Sequence, residues 1–300
     1  MRLVAAVVAS TALVAAPGVR VAATIPTPSQ PIGVAFGAGS AWVASFDFGG
    51  VVRVDPATNR VVARIKTGRG PIGVAFGAGS VWVANWLANT VTRVDPATGK
   101  SLATIKVTAT GPEGMAFGAG SLWVSNKSGS VSRIDPRVNR QVALIKVGLE
   151  PRNLAVGAGS VWVTSYDGGE VDRIDPKTNK VTQKISVGPG PQGISVDRHG
   201  VWVGILLDGS LVRLDSRTGQ VVQRIALGGG AGAEGVASDG RSVWVADYNG
   251  GAVIRVDAAT GKVTGGVRTG PQPRGIAVGS GGGVWVANSA GSTLSHVVPR

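Results

Sequence analysis

Five residues of this 300-residue chain, Glu113, Arg152, Gln192, Glu234 and Arg274, could do chemistry together, because each fills the variable place of one recurring phrase whose commonest form is Pro-x-Gly-Val-Ala. The two remaining copies of the phrase put Ile32 and Ile72 there. Two carboxylates, two guanidiniums and an amide gathered at one place suit a polar ligand, and either glutamate could act as a base or as an oxygen ligand to a cation. Internal neutralisation is the simpler outcome, since Glu113 and Arg152 stand in adjacent copies, as do Glu234 and Arg274. A second group lies one loop away. Seven repeated Trp and Phe36, Phe76 and Phe117 hold fixed places in the phrase, which leaves Phe46, Phe48, Trp86, Tyr166 and Tyr248. All five fall just after the repeated Trp-Val segment, with Asn126 and Asp247 beside them. Phe46, Trp86, Tyr166 and Tyr248 therefore offer stacking area, Asn126 and Asp247 hydrogen bonds, and Arg152, Gln192 and Arg274 orientation. Such a mixture suits a sugar, a peptide or a macrocycle.

Other chemistries find little support. The chain has no Cys, which removes disulfides, thiolate metal sites and thiol nucleophiles. Its two histidines, His199 in "DRHG" and His296 near the C-terminus, do not combine with a Ser and an acid on any one face. The phrase "GAGS" resembles the start of a phosphate-binding loop, but that use needs a helix next, and a Trp-Val strand follows instead. Its glycines read as hairpin glycines. The pairs Arg53 and Asp55, Arg93 and Asp95, and their later copies are two residues apart on a strand, hence on one face, and read as ion pairs or turn braces.

The elements that must position these residues follow from the repeat. Aligning on Trp-Val gives Trp42, Trp82, Trp123, Trp162, Trp202, Trp244 and Trp285, about 40 residues apart. Each unit holds four short segments rich in Val, Ile, Thr and Trp, separated by Gly-containing turns or by "DPATGK"-type loops. Four strands per unit with no helix predict an all-β, seven-bladed propeller of four-stranded antiparallel blades. The seventh unit stops after its third strand, and "VRVAATIPT" at 19–27 is the strand that would complete it and close the ring. Loops entering the first strand and leaving the second then open on one face, around the channel, so both candidate groups meet at one mouth. Residues 17–300 form a single domain in this reading.

Residues 1–16 read as a signal peptide, with Arg2 before the apolar run Leu3–Ala16 and small residues at Val14 and Ala16. The run is too short to span a bilayer, so the expected product is a secreted or periplasmic protein without a transmembrane span, and a monomer. The net charge of +13 comes largely from Lys and Arg on or beside the fourth strands. That belt makes electrostatic binding of an anionic envelope polymer or of nucleic acid a second alternative function, with the polymer the expected partner of the two.

The repeated "G-x-x-x-WV-x-N" followed by "V-x-R-x-D-P-x-T-G-K-V" resembles the bacterial YVTN-type propellers and the related virginiamycin B lyase (streptogramin lyase) family, from about residue 19 onward. The first group implies an exported, mostly non-enzymatic propeller, with DNA binding among its members. The second implies a lyase that opens the lactone of a cyclic depsipeptide by elimination, using Mg²⁺ with histidine and glutamate on the channel face. In this chain only Glu113 and Glu234 offer themselves for that role. The leading expectation is a binding protein without cofactor that takes an unidentified small ligand, protein or glycan at the mouth. A Mg²⁺-dependent lyase acting on a cyclic peptide or polysaccharide through Glu113 and Glu234 is the alternative.

Overall fold

The computed structural model describes residues 18–299; the expected leader at 1–16, Pro17 and Arg300 lie outside the described residues. The described chain forms seven four-stranded antiparallel sheets and contains no α-helix. In the first blade the strands are Pro31–Gly37, Ser40–Ser45, Gly50–Asp55 and Arg60–Lys66, running in order from the channel outward. The inner strand of every blade packs on the inner strand of the next, and that of the seventh, Pro273–Val278, packs on Pro31–Gly37. The ring is closed. The seventh sheet takes its outer strand from the other end of the chain, with Val19–Pro26 antiparallel to Thr293–Pro299. The chain is a seven-bladed β-propeller.

Burial explains why this sequence chooses this arrangement. The second strand of each blade is buried at every position, and the outer strand largely alternates exposed with half-buried. The first is covered by sheets on both faces and is apolar at its centre, with Ser, Thr, Asn or Asp towards its ends; the second has one face in water and carries the basic residues. The seven Trp are all at most 1% exposed. Trp42 packs against Val81, Val83 and Val94 of the second blade, and Trp82 against Leu122, Val124 and Ile134 of the third, so each ring fills the wedge between adjacent sheets. In the first four blades the indole Nε1 donates to the Gly carbonyl that starts the hairpin, as Trp42 does to Gly37 at 3.0 Å.

The "GAGS" glycines have two jobs. Ala38 and Gly39 sit at φ 49° and 68°, both in the left-handed region that a tight hairpin of mirror-image type requires. Gly37 is a close approach: a Cβ there would lie 2.1 Å from the Phe76 ring of the next blade. Neither job leaves N–H groups arrayed for phosphate.

Arg and Asp of the repeated pair do separate work, and no ion pair joins them among the described residues. Arg93 lies over the Trp82 ring at 4.9 Å, donates to Ser80 and reaches the next blade at the Pro136 carbonyl and Asn139. His296 takes the arginine's place in blade seven, stacked on Trp285 at 4.0 Å with Nδ1 2.9 Å from Asn59 of blade one. The six aspartates brace their turns instead. Asp55 accepts from Ala57 N–H and Thr58 Oγ1, and those donors hold its carboxyl below the ordinary 3.8. Asp135, held chiefly by the Arg137 side chain, is lowered to about 2. A carboxylate whose folded pKa is depressed stabilises the fold above its unfolded pKa, and that contribution is lost as pH falls through the folded value. The contribution of these turn aspartates to the melting temperature is therefore expected to be flat above about pH 4 and to fall towards pH 2, as thermal melts of the parent and of Asp135→Asn across that window would show, the variant flattening the last part of the fall.

Candidate functional site

All seven residues of the variable place, Ile32, Ile72, Glu113, Arg152, Gln192, Glu234 and Arg274, line one cavity of about 420 Å³ at the mouth. The backbone reason is a glycine. A Cβ on Gly73 would stand 2.0 Å from the Glu113 carbonyl, one on Gly235 2.1 Å from that of Arg274, and one on Gly275 2.1 Å from that of Ile32. Bare Cα atoms let the inner strands close to this distance and turn the side chain before each glycine into the channel. Blade four alone has Asn153 in that place. Gly73→Ala is thus expected to cost about 1–3 kcal/mol through overpacking against backbone, measured as a lower urea midpoint.

The ring is divided. Over blades one and two it is apolar: Ile32 and Ile72 line the wall, with Phe46 and Trp86 above them, ring centroids 6.5 Å apart. Over blades three to seven it is polar. Arg152 Nη1 lies 3.2 Å from Glu113 Oε1 and its Nη2 lies 2.6 Å from Glu150. Arg274 Nε lies 3.1 Å from Glu234 Oε1, the same oxygen that accepts from Gln192 Nε2 at 3.2 Å. Glu113, Gln192 and Glu234 are 8%, 4% and 6% exposed, so these contacts are shielded from water. Burial pushes the Glu113 carboxyl above its ordinary value, and Glu234 across the channel adds to this, while Arg152 and Arg274 oppose it. Burial also acts against Glu150, yet Arg152 and Lys127 hold its carboxyl below the usual range.

The aromatic residues divide in the same way. Phe46 and Trp86 line the cavity. Tyr166 and Tyr248 do not; each lies under a guanidinium, Arg152 at 5.0 Å and Arg274 at 5.9 Å, and so supports the arginine rather than offering an open stacking face. Phe48 is covered by Lys66 at 4.0 Å. Asn126 and Asp247 differ from expectation more sharply. Asn126 is fully buried and donates to Ser130 and Ser132, and Asp247 accepts from Gly232 N–H at 2.8 Å and Gly250 N–H at 3.0 Å. Both brace the loops beneath the mouth, and neither lines the cavity.

Glu150 and Gln30 join the site without having been singled out for it, and Lys127, which the sequence places beside the loop aromatics, joins them; Lys127 and Gln30 line the cavity and Glu150 holds Arg152. A signal for two of them exists in the sequence. Gln30, Glu150 and Gln272 occupy the place before Pro where other blades have Gly70, Gly111 and Gly190, and all three sit at positive φ, 52°, 50° and 53°. A side chain kept at a left-handed position that glycine would fill more easily marks a residue retained for what it touches.

Neither histidine lines the cavity. Among the described residues no group of three or more His, Cys, Asp or Glu could hold a metal ion. Each channel glutamate already has an arginine within 3.2 Å, so the donor set does not fit the Mg²⁺ that the lyase resemblance implies.

Comparison with known proteins agrees with this geometry at the level of architecture. A family model described as "Repeat of unknown function (DUF6923)" matches residues 47–188. No curated protein matches the sequence. Hydrazine synthase of Kuenenia stuttgartiensis superposes with a TM-score of 0.82 at 15% identity, over 91% of this chain and 96% of that one. A streptogramin B lyase gives 0.82 at 15% identity, over 94% and 98%. A catalytically inactive virginiamycin B lyase from Staphylococcus aureus, solved with quinupristin, gives 0.81 at 14% identity, over 93% and 99%. The likeness is one of fold. It extends around the whole ring.

Proposed function

We propose that this propeller is an exported, monomeric binding protein that holds an amphipathic small ligand at its mouth and acts by binding rather than by turnover. The observation that carries the reading is the convergence on one cavity of a place at which the repeats disagree, contributed by all seven blades, with an apolar sector under Phe46 and Trp86 and a polar sector at Gln192, Glu234 and Arg274. Repeat positions that serve the fold are alike in every blade, so residues that differ and converge are free to be shaped by a ligand. The cavity volume is in the range of small-molecule sites. Export rests on the apolar run Leu3–Ala16 and its flanks. No helix among the described residues is long and apolar enough to cross a membrane.

The test is a thermal-shift screen of glycans and of linear and cyclic peptides, quinupristin among them with and without Mg²⁺. A compound that raises the melting temperature should lose about tenfold or more in affinity with Trp86→Ala or Arg274→Ala, since hot-spot side chains of these types carry about 1.4 kcal/mol or more. Equal affinity for both variants overturns the site assignment. Linearised quinupristin overturns the binding-only reading and restores the lyase.

A further inference from the structure

The net charge of +13 is not spread evenly over the ring. Around the mouth, acids and bases alternate. Asp47, Glu150, Asp167 and Asp208 in the loops stand against Arg69 and Lys127 and against Lys66, Lys106, Lys146 and Arg268 at the mouth-side ends of the outer strands, and the two channel glutamates against the two channel arginines. The opposite end of the ring is different. There each turn between the third and outer strands carries one Asp, tied up by the turn's own donors, and one Arg two residues earlier, stacked on the blade's Trp. Those charges offset each other. The surplus lies at the start of the outer strands, where Arg60, Lys100, Arg140, Lys180 and Lys262 are all exposed. Blades four and five add Lys177 and Arg217 at the turn tips, also exposed. Arg137 has the same place in blade three, held 2.7 Å from Asp135.

The same short turn recurs in blade after blade, with the residue four places after the Asp returning its N–H to the Asp carbonyl. The surplus cations therefore stand at one level, as an annulus around the axis. Aromatic rings at this end are packed into the sheets: the Trp are buried, and Phe76 and Phe117 lie flat on Gly37 and Gly77 of the preceding blade. An annulus of long cationic side chains without a stacking platform is ill-suited to bases, and a rod-shaped duplex would meet it along one line only. A plane of anionic headgroups meets all of it at once.

We propose that the end of the ring opposite the mouth docks on an anionic phospholipid surface, which leaves the mouth open to solvent on the far side. The test is co-sedimentation of the full chain with vesicles of phosphatidylcholine containing a rising share of phosphatidylglycerol. Binding should rise with that share and vanish at about 1 M salt, where screening acts within about 3 Å. The triple variant Lys177→Gln, Lys180→Gln, Arg217→Gln should weaken partitioning about a hundredfold, roughly fivefold for each cation. A control with the same net charge, Lys66→Gln, Lys106→Gln, Lys146→Gln, alters the mouth-side ends of the outer strands and should change it less than about threefold. Equal losses in the two triples would mean that the amount of charge matters and its place does not. That result, undiminished binding to pure phosphatidylcholine, or tighter binding to duplex DNA than to the vesicles at the same salt overturns the proposal.

Discussion

Trp123→Ala is expected to lower the unfolding free energy by about 3–5 kcal/mol, the range for removing a large aromatic side chain from a core that cannot collapse around the void. The site cannot collapse because three parties hold it. The ring packs with Val131 and Ile145 of its own blade and Leu154, Val161, Val163 and Ile174 of the next. Its Nε1 holds the Gly118 carbonyl at 3.1 Å, and Arg133 spans its face at 4.9 Å on the way to the Pro176 carbonyl. Removing the indole thus loosens a hairpin, an interblade strut and two sheets together. Urea unfolding followed by circular dichroism checks this. Trp86→Ala, which removes a half-buried mouth residue, should cost roughly 1 kcal/mol under the same conditions, and a comparable loss would contradict the division between structural and mouth tryptophans.

The second large effect is expected at the channel. Arg152→Met should destabilise by about 3 kcal/mol at neutral pH, because it leaves the Glu113 carboxylate buried and opposite Glu234 without its nearest cation. Adding Glu113→Gln should recover most of that loss, as replacing both members of a shielded pair is far milder than breaking it. The pH dependence has a definite sign. Glu113 titrates above its ordinary value in the fold, and the loss of Arg152 removes an influence that lowers it, so the protonated form becomes the better fit. A group with a raised folded pKa contributes stability below its unfolded pKa and loses it as pH rises through the folded one. The deficit of Arg152→Met relative to the parent should therefore shrink towards pH 4.5 and grow towards pH 7, as paired urea titrations would read.

The blades are legible in the sequence because a repeat states its own rule seven times. Trp spacing counts the sheets, turn residues mark the hairpins, and the missing last strand points to 19–27, which the pairing of Val19–Pro26 with Thr293–Pro299 matches. The convergence of Glu113, Arg152, Gln192, Glu234 and Arg274 is legible for the same reason, since equivalent places in equivalent blades lie on one circle. What each side chain does on that circle is not. Asn126 and Trp86 are neighbours in the repeat, at the end of the second strand and one step beyond it, yet the first turns down to Ser130 and Ser132 and the second up over the cavity. One residue of register on a strand reverses the face, and loop geometry decides where that register stops. Tyr166 and Tyr248 sit in the same loop class as Trp86, but a cation covers each, and that depends on a guanidinium arriving from an inner strand.

The seam in the seventh sheet has a consequence for how the molecule is made. Val19–Pro26 is synthesised before the other six sheets, and its partner Thr293–Pro299 after them. At about 5–20 residues per second the early strand waits roughly 15–60 s, with its ladder groups open to any other chain nearby. Six sheets can form in order of synthesis during that interval; the one that locks the circle cannot. Ring closure is thus the last pairing that the order of the chain allows, and until it forms the early strand needs shielding from other chains.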